Sequence, residues 1–269
     1  MSMGDKITEY QNEGLSLLHA TSKACGEVIL FKISKSSNSR NVTIKGGFVI
    51  MNISGDLRRA TKDLDLDFIK YSLSEESIIS FIEKLNRVDD TKLEIKSIKE
   101  LKHEDYKGKE VKLKVIDTNG KKYDFKLDIG VHKNLDLNQE EYVFDLSDEK
   151  INLLINSKEQ IMAEKLKSLL KKGPTSTRYK DIYDFYYFIR INPINKNKFM
   201  KLVEDYILDD SSMEQNNFEE IYIYLSDIFS NAVYLNSLNN AKVNWLELPV
   251  NEVLKVILDF FKSMEAVNI

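Results

Sequence analysis

The chain has 269 residues, 42% hydrophobic and 30% charged, with a formal net charge of −4. That length supports one large domain or two modest ones with a real core, and the acidic balance argues against a generally basic nucleic-acid binder. A single cysteine, Cys25, excludes an intramolecular disulfide framework, and no apolar run approaches the roughly 18 residues needed to span a bilayer.

The N-terminus, Met1-Ser2-Met3-Gly4-Asp5, lacks a basic stretch followed by an apolar core, so secretion is not expected and the cytoplasm is the default compartment. Leu15 to Ala24 reads as a short helix and Glu27 to Ile33 as a strand, with a polar turn over Ser34 to Arg40. Val42-Thr43-Ile44 leads as a short strand into Lys45-Gly46-Gly47. Phe48 to Ile53 is apolar enough for a buried helix turn or a strand, and periodicity does not decide between them. Ser54-Gly55-Asp56 then closes this unit as a loop. The run Asp63-Leu64-Asp65-Leu66-Asp67-Phe68 alternates as a strand does. Ser74 is placed to cap a helix with Glu75 and Glu76 in its first turn and Ile78, Ile79, Ile82 and Leu85 on one face. Strands follow over Leu93 to Ile98 and Val111 to Asp117. Asn119-Gly120 turns the chain into a hairpin partner over Tyr123 to Ile129, which carries Asp128.

From about Lys150 helical spacing takes over through Ile161, Leu166, Leu169 and Leu170, with a break at Gly173-Pro174-Thr175-Ser176. Further helices are predicted over Tyr179 to Arg190, Asn195 to Leu208, Phe218 to Leu238 and Val250 to Met264. Strands first and helices after predict an α+β fold in two lobes, a mixed-sheet lobe over 1–149 and a helical lobe over 150–269.

The chemistry concentrates at the glycine pair and the acidic strand, with fifteen residues between Gly47 and Asp63. Side chains two apart on a strand share a face, so Asp63 and Asp65 point one way while Leu64 and Leu66 fill the other. Paired carboxylates suit Mg²⁺, a hard cation that favours oxygen ligands and nucleotide phosphates. A glycine pair lets the backbone turn sharply and approach a phosphate. The alternative is a solvated acidic face on an ordinary half-buried strand, which would leave like charges in register. Asp67 adds a third acid, so an Asp65/Asp67 pair stands beside Asp63/Asp65. Asp128, at a strand end, completes a candidate trio of aspartates of the kind that holds two metal ions in phosphoryl chemistry. Such chemistry also needs cations near the phosphates. Between Lys158 and Lys180 the chain offers Lys158, Lys165, Lys167, Lys171, Lys172, Arg178 and Lys180 against Glu159 and Glu164. A solvated helix face with i,i+4 pairs accounts for part of that stripe. His19, His103 and His132 show no zinc-like spacing, and nothing selects one as a general base. Trp245, Tyr183, Tyr186 and Tyr187 read as packing residues, while Tyr179 sits beside the basic ones.

Lys45-Gly46-Gly47 followed by Arg59-Ala60-Thr61-Lys62-Asp63-Leu64-Asp65-Leu66 resembles the first motif of the AbiEii nucleotidyltransferase toxin family. Glu159-Gln160-Ile161-Met162-Ala163-Glu164-Lys165-Leu166 and Arg178-Tyr179-Lys180-Asp181-Ile182-Tyr183-Asp184-Phe185 are similar to its later motifs. The resemblance covers roughly residues 42 to 190 and implies a minimal DNA polymerase β-like fold, with the helical lobe completing the active-site cleft. It implies helix over Phe48 to Ile53. It makes Asp63, Asp65 and Asp128 ligands of Mg²⁺ or Mn²⁺ and has Gly46 and Gly47 shape the phosphate turn. Lys165 would contact the nucleotide phosphates, and Asp181 would orient Lys165 or the nucleotide, with Asp184 the weaker candidate. Lys45, Arg59, Thr61 and Lys180 would line the nucleotide site. The bulky Phe48-Val49-Ile50 departs from the small residues that follow the glycine pair in many members.

The function so implied is transfer of a nucleotide from a triphosphate, GTP or CTP, to RNA such as the tRNA 3′ end, in a toxin–antitoxin or abortive-infection system with a cognate antitoxin. The alternatives are a small-molecule or protein-hydroxyl acceptor, and a non-catalytic nucleotide-binding module.

Overall fold

The computed structural model describes residues 2–101, 108–131, 139–240 and 242–265, and the chain divides into two compact units, Met1–Asn156 and Ser157–Ile269. His103 and His132 lie outside the described residues. No described helix is long and apolar enough to cross a membrane. The architecture is α+β, as predicted.

The first unit opens with α1 (Met3–Asn12), whose start is fixed by a capping box between Ser2 and Asp5. Next comes α2 (Leu17–Lys35), a single helix of 19 residues. Glu27 to Ile33, predicted as a strand, is its second half. The run Val28-Ile29-Leu30-Phe31 is strand-like by propensity, but Cys25, Ile29 and Ile33 recur at four-residue spacing and are all fully buried. Burial on one helical face overrides the local preference.

After α2 come β1 (Val42–Lys45), α3 (Gly46–Ser54), a 3₁₀ turn (Leu57–Arg59), β2 (Leu64–Phe68) and α4 (Glu75–Leu85). Phe48 to Ile53 is therefore helical, and Gly55 ends α3 in the left-handed region at φ 64°. Ser74 caps α4 as its position suggests, its hydroxyl accepting from the Ser77 amide. Five strands follow: β3 (Lys92–Glu100), β4 (Lys109–Ile116), β5 (Lys122–Val131), β6 (Glu140–Asp145) and β7 (Lys150–Ile155). They join one mixed sheet in the order β3-β4-β5-β2-β1-β7-β6. The hairpin of β4 and β5 forms around Asn119-Gly120, with Gly120 at φ 78°.

Helical spacing was expected from Lys150, but Lys150 to Ile155 is strand, antiparallel to β6 and parallel to β1. Its buried residues Ile151, Leu153 and Ile155 alternate, which is the strand repeat. Helix begins at Lys158, where Ser157 caps it.

The second unit is helical: α5 (Lys158–Lys172), α6 (Tyr179–Tyr186) continued by a π turn to Ile191, and α7 (Lys196–Val203) with a π turn to Leu208. Then follow α8 (Phe218–Ser230), α9 (Ala232–Leu238) and α10 (Val250–Glu265). The single helix predicted over Phe218 to Leu238 breaks at Asn231. Its side chain accepts hydrogen bonds from the Val233 and Tyr234 amides, so it starts α9 instead of extending α8.

Candidate active site

The glycine pair lies where β1 ends and α3 begins. Gly46 has φ 69°, a backbone state that L side chains rarely adopt. A Cβ there would stand 2.2 Å from Asp65 Oδ2. The turn is thus packed directly on the carboxylate of the central strand, and glycine is required on both counts. Gly47 is cramped for a different reason: a Cβ would meet Thr61 at 3.1 Å and Arg59 Nη1 at 3.2 Å. Arg59 is buried, and Thr61 Oγ1 donates to Asp63 Oδ1 at 2.9 Å. The segment between the two motifs therefore returns to wall the turn and to fix Asp63. The first-turn amides of α3, which helix geometry leaves without intrahelical acceptors, start at this point.

The acidic face follows from strand register. β2 runs antiparallel to β1 and parallel to β5, pairing Lys45 with Asp65 and Asp65 with Asp128 across three adjacent strands. Asp128 is also opposite Glu110 on β4. Leu64, Leu66, Leu127 and Ile129 fill the other face and are fully buried. This is the alternation expected from the sequence. Asp67, one strand-step beyond Asp65, is buried and paired with Lys45 Nζ at 2.8 Å. Asp65 on the strand and Asp63 just before it are half-exposed.

Between Asp63 and Asp128 stands a residue that sequence reasoning passed over. Lys126 Nζ lies 2.9 Å from Asp63 Oδ2 and 2.9 Å from Asp128 Oδ2. Burial pulls the lysine's pKa down, but the hydrogen bonds to Asp128 and Asp63 outweigh it and the ammonium is held above its usual value. The two acids respond oppositely. Burial would raise Asp63, yet Lys126 and Thr61 hold it below the ordinary carboxylate range. Burial dominates at Asp128 and raises it, against the pull of Lys126. The signal was available: Lys126 is two residues before Asp128 on a strand, hence on the same face.

Whether this face suits a divalent ion can be judged from its donors. Among the described residues no three carboxylate, histidine or cysteine side chains are gathered closely enough to enclose an ion. Two features nevertheless fit a hard cation. Asp63 and Asp128 already grip one cationic group between them, and Asp128 Oδ1 is buried with no hydrogen-bond partner among the described residues. An unsatisfied buried carboxylate oxygen is costly unless a ligand uses it.

The later motifs lie in the second unit. Lys165, on α5, is buried with its ammonium hydrogen-bonded to Asp181 of α6 and 3.1 Å from Asp184 Oδ2. Asp184 is fully buried, and Trp245 Nε1 donates to its Oδ1 at 3.1 Å. Asp184 thus pairs with Lys165 alongside Asp181, although the sequence ranked it lower. Trp245, read as packing, carries a polar role as well. Lys180 is half-buried beside Asp181, and Arg178 is exposed. Tyr179 packs tilted against Tyr234 at 5.4 Å between ring centroids.

A family model, nucleotidyl transferase AbiEii toxin of a type IV toxin–antitoxin system, matches residues 28–246 of the chain. The match includes both motif regions. No curated protein matches the chain.

Proposed function

The chain belongs to the AbiEii nucleotidyl transferase toxin family, and from that premise we propose that it moves a nucleotide from GTP or CTP to the 3′ end of a tRNA in the cytoplasm. The family makes it a nucleotidyltransferase of a toxin–antitoxin system, with a triphosphate as substrate and an antitoxin as partner. The observation that carries the site assignment is the packing of Gly46 on Asp65, with Asp128 in register beside it.

In this reading Asp63, Asp65 and Asp128 would hold Mg²⁺ or Mn²⁺, which supplies charge neutralisation for the triphosphate. Gly46 and Gly47 keep the turn free of side chains so that phosphate oxygens can reach the α3 amides. Arg59 and Thr61 brace that turn, and Lys45 keeps Asp67 neutralised. The likeness of the later motif to the family's would give Lys165 a phosphate contact, its ammonium held by Asp181 and Asp184, with Lys180 adding positive charge to that motif. The acceptor hydroxyl bonds to the α-phosphorus, the α–β bridge breaks and pyrophosphate leaves. The hydroxyl proton has to be taken up. In this reading a carboxylate of the acidic face takes it. The basic residues between Lys158 and Lys180 favour RNA over a small acceptor.

Purified protein incubated with Mg²⁺, each of the four α-labelled triphosphates in turn, and total tRNA tests the proposal. Label on tRNA from GTP or CTP is expected, abolished by Asp65→Ala, by Lys165→Ala and by periodate oxidation of the tRNA 3′ end. Label on protein or on a small molecule, with none on RNA, would overturn the acceptor assignment.

A further inference from the structure

We propose that Lys126 is a built-in counter-ion of the acidic face, which fills the space between Asp63 and Asp128 while no divalent cation is bound there and vacates it when one is. The lysine would then set the cation concentration at which the face loads. This rests on the proposed function in taking a divalent cation as the competitor.

Three observations support it. First, the ammonium is equidistant from the two carboxylates, at 2.9 Å each, and so bridges adjacent strands rather than serving one partner. Asp63 and Asp128 together carry two negative charges against its one. A divalent ion would match both. Second, the grip is incomplete. Among the described residues Asp128 Oδ1 is buried without a hydrogen-bond partner although Oδ2 is engaged, so a multidentate cation could satisfy what the lysine leaves open. Third, Lys126 can leave. Its side chain is 33% exposed, and a flexible four-carbon stem lets the ammonium swing into water without disturbing Leu127 or Ile129 beneath. Lys45 differs in this respect: its partner Asp67 is 1% exposed, so its pair is built into the sheet.

An ordinary cross-strand ion pair would stabilise the sheet and do nothing else. The two roles predict opposite effects on cation affinity. A merely structural lysine leaves affinity unchanged or, when removed, weakens it through loss of order. A competitor, when removed, tightens it.

The experiment measures Mn²⁺ affinity of the full chain, without nucleotide, from the paramagnetic resonance signal of free Mn²⁺. Wild type is compared with Lys126→Met and with Lys112→Met, a lysine of β4 opposite Lys126 that pairs with Glu110 instead. Lys126→Met is expected to bind about tenfold more tightly, the scale of one to two half-exposed charge-assisted bonds. Lys112→Met should match wild type. Thermal unfolding should show Lys126→Met melting below wild type in EDTA and recovering that deficit in Mn²⁺. Should Lys126→Met not fold, Lys126→Arg serves in the opposite sense, since a forked guanidinium grips carboxylates harder and should weaken Mn²⁺ binding. Unchanged or weaker affinity in Lys126→Met, equal tightening in Lys112→Met, or absence of Mn²⁺ binding in all three would overturn the inference. Nucleotide transfer by wild type alongside unchanged Lys126→Met affinity would defeat this inference and leave the proposed function standing. Tightened affinity without any transfer would do the reverse.

Discussion

Replacing Gly46 by alanine separates two roles that coincide at one residue, and Gly55 provides the control. Both glycines have positive φ, 69° and 64°. An added Cβ at Gly55 meets none of the described residues within 4 Å, whereas at Gly46 it meets Asp65 Oδ2 at 2.2 Å. Gly55→Ala should therefore cost only the left-handed strain of an alanine, about 1–2 kcal/mol. Gly46→Ala bears the same strain and must also push Asp65 away by roughly 1 Å, a displacement of the size that costs on the order of a hundredfold in rate at a site that works by positioning. Urea denaturation gives the first quantity and labelled nucleotide transfer the second. The expected pattern is Gly55→Ala destabilised but active at wild-type rate, and Gly46→Ala at least as destabilised and about a hundredfold slower. Full activity in Gly46→Ala would refute the idea that the turn is fitted to Asp65.

Other outcomes follow from single contacts. Lys45→Met strips the buried Asp67 of its ammonium and should destabilise the chain by roughly 3 kcal/mol in denaturant titration. The double variant Lys45→Met/Asp67→Leu should recover much of that loss. Trp245→Phe removes the donor to fully buried Asp184 and should cost about 1–3 kcal/mol. If Asp184 positions Lys165, the same variant raises KM for the triphosphate more than it lowers kcat. Asp63, held below the ordinary carboxylate range, contributes stability that is complete above its unfolded value of about 3.9 and is lost as pH falls through the folded value. Asp63→Asn should accordingly flatten the fall in stability below about pH 4, and an unaltered acid limb would contradict the assignment.

What could be read from the sequence was what local rules determine. The alternation Asp63-Leu64-Asp65-Leu66 reports a strand with one acidic face because the side-chain period is two, and the Gly46-Gly47 pair reports a sharp turn because glycine readily takes the positive φ that Gly46 adopts. Ser74 and Gly120 marked a cap and a hairpin for similarly short-range reasons. The misreadings arose where distant packing decides. Glu27 to Ile33 is helix because its apolar residues line one buried face, which propensity alone does not disclose. Lys150 to Ile155 is strand because β1, more than a hundred residues earlier, pairs with it. The hydrogen bond from Trp245 to Asp184 spans 61 residues, and no spacing rule connects them. Lys126, two residues before Asp128 on the same strand, lies on the acidic face by the same period-two rule.

The most direct test of nucleotidyl transfer follows the two ends of the triphosphate separately. Wild type and Asp65→Ala are incubated with Mg²⁺, tRNA and GTP or CTP labelled at either the α- or the γ-phosphate. Transfer as described here puts the α label on RNA, leaves the γ label in pyrophosphate, and does neither in Asp65→Ala. Appearance of the γ label on the acceptor, or α-label transfer that survives Asp65→Ala, would contradict it.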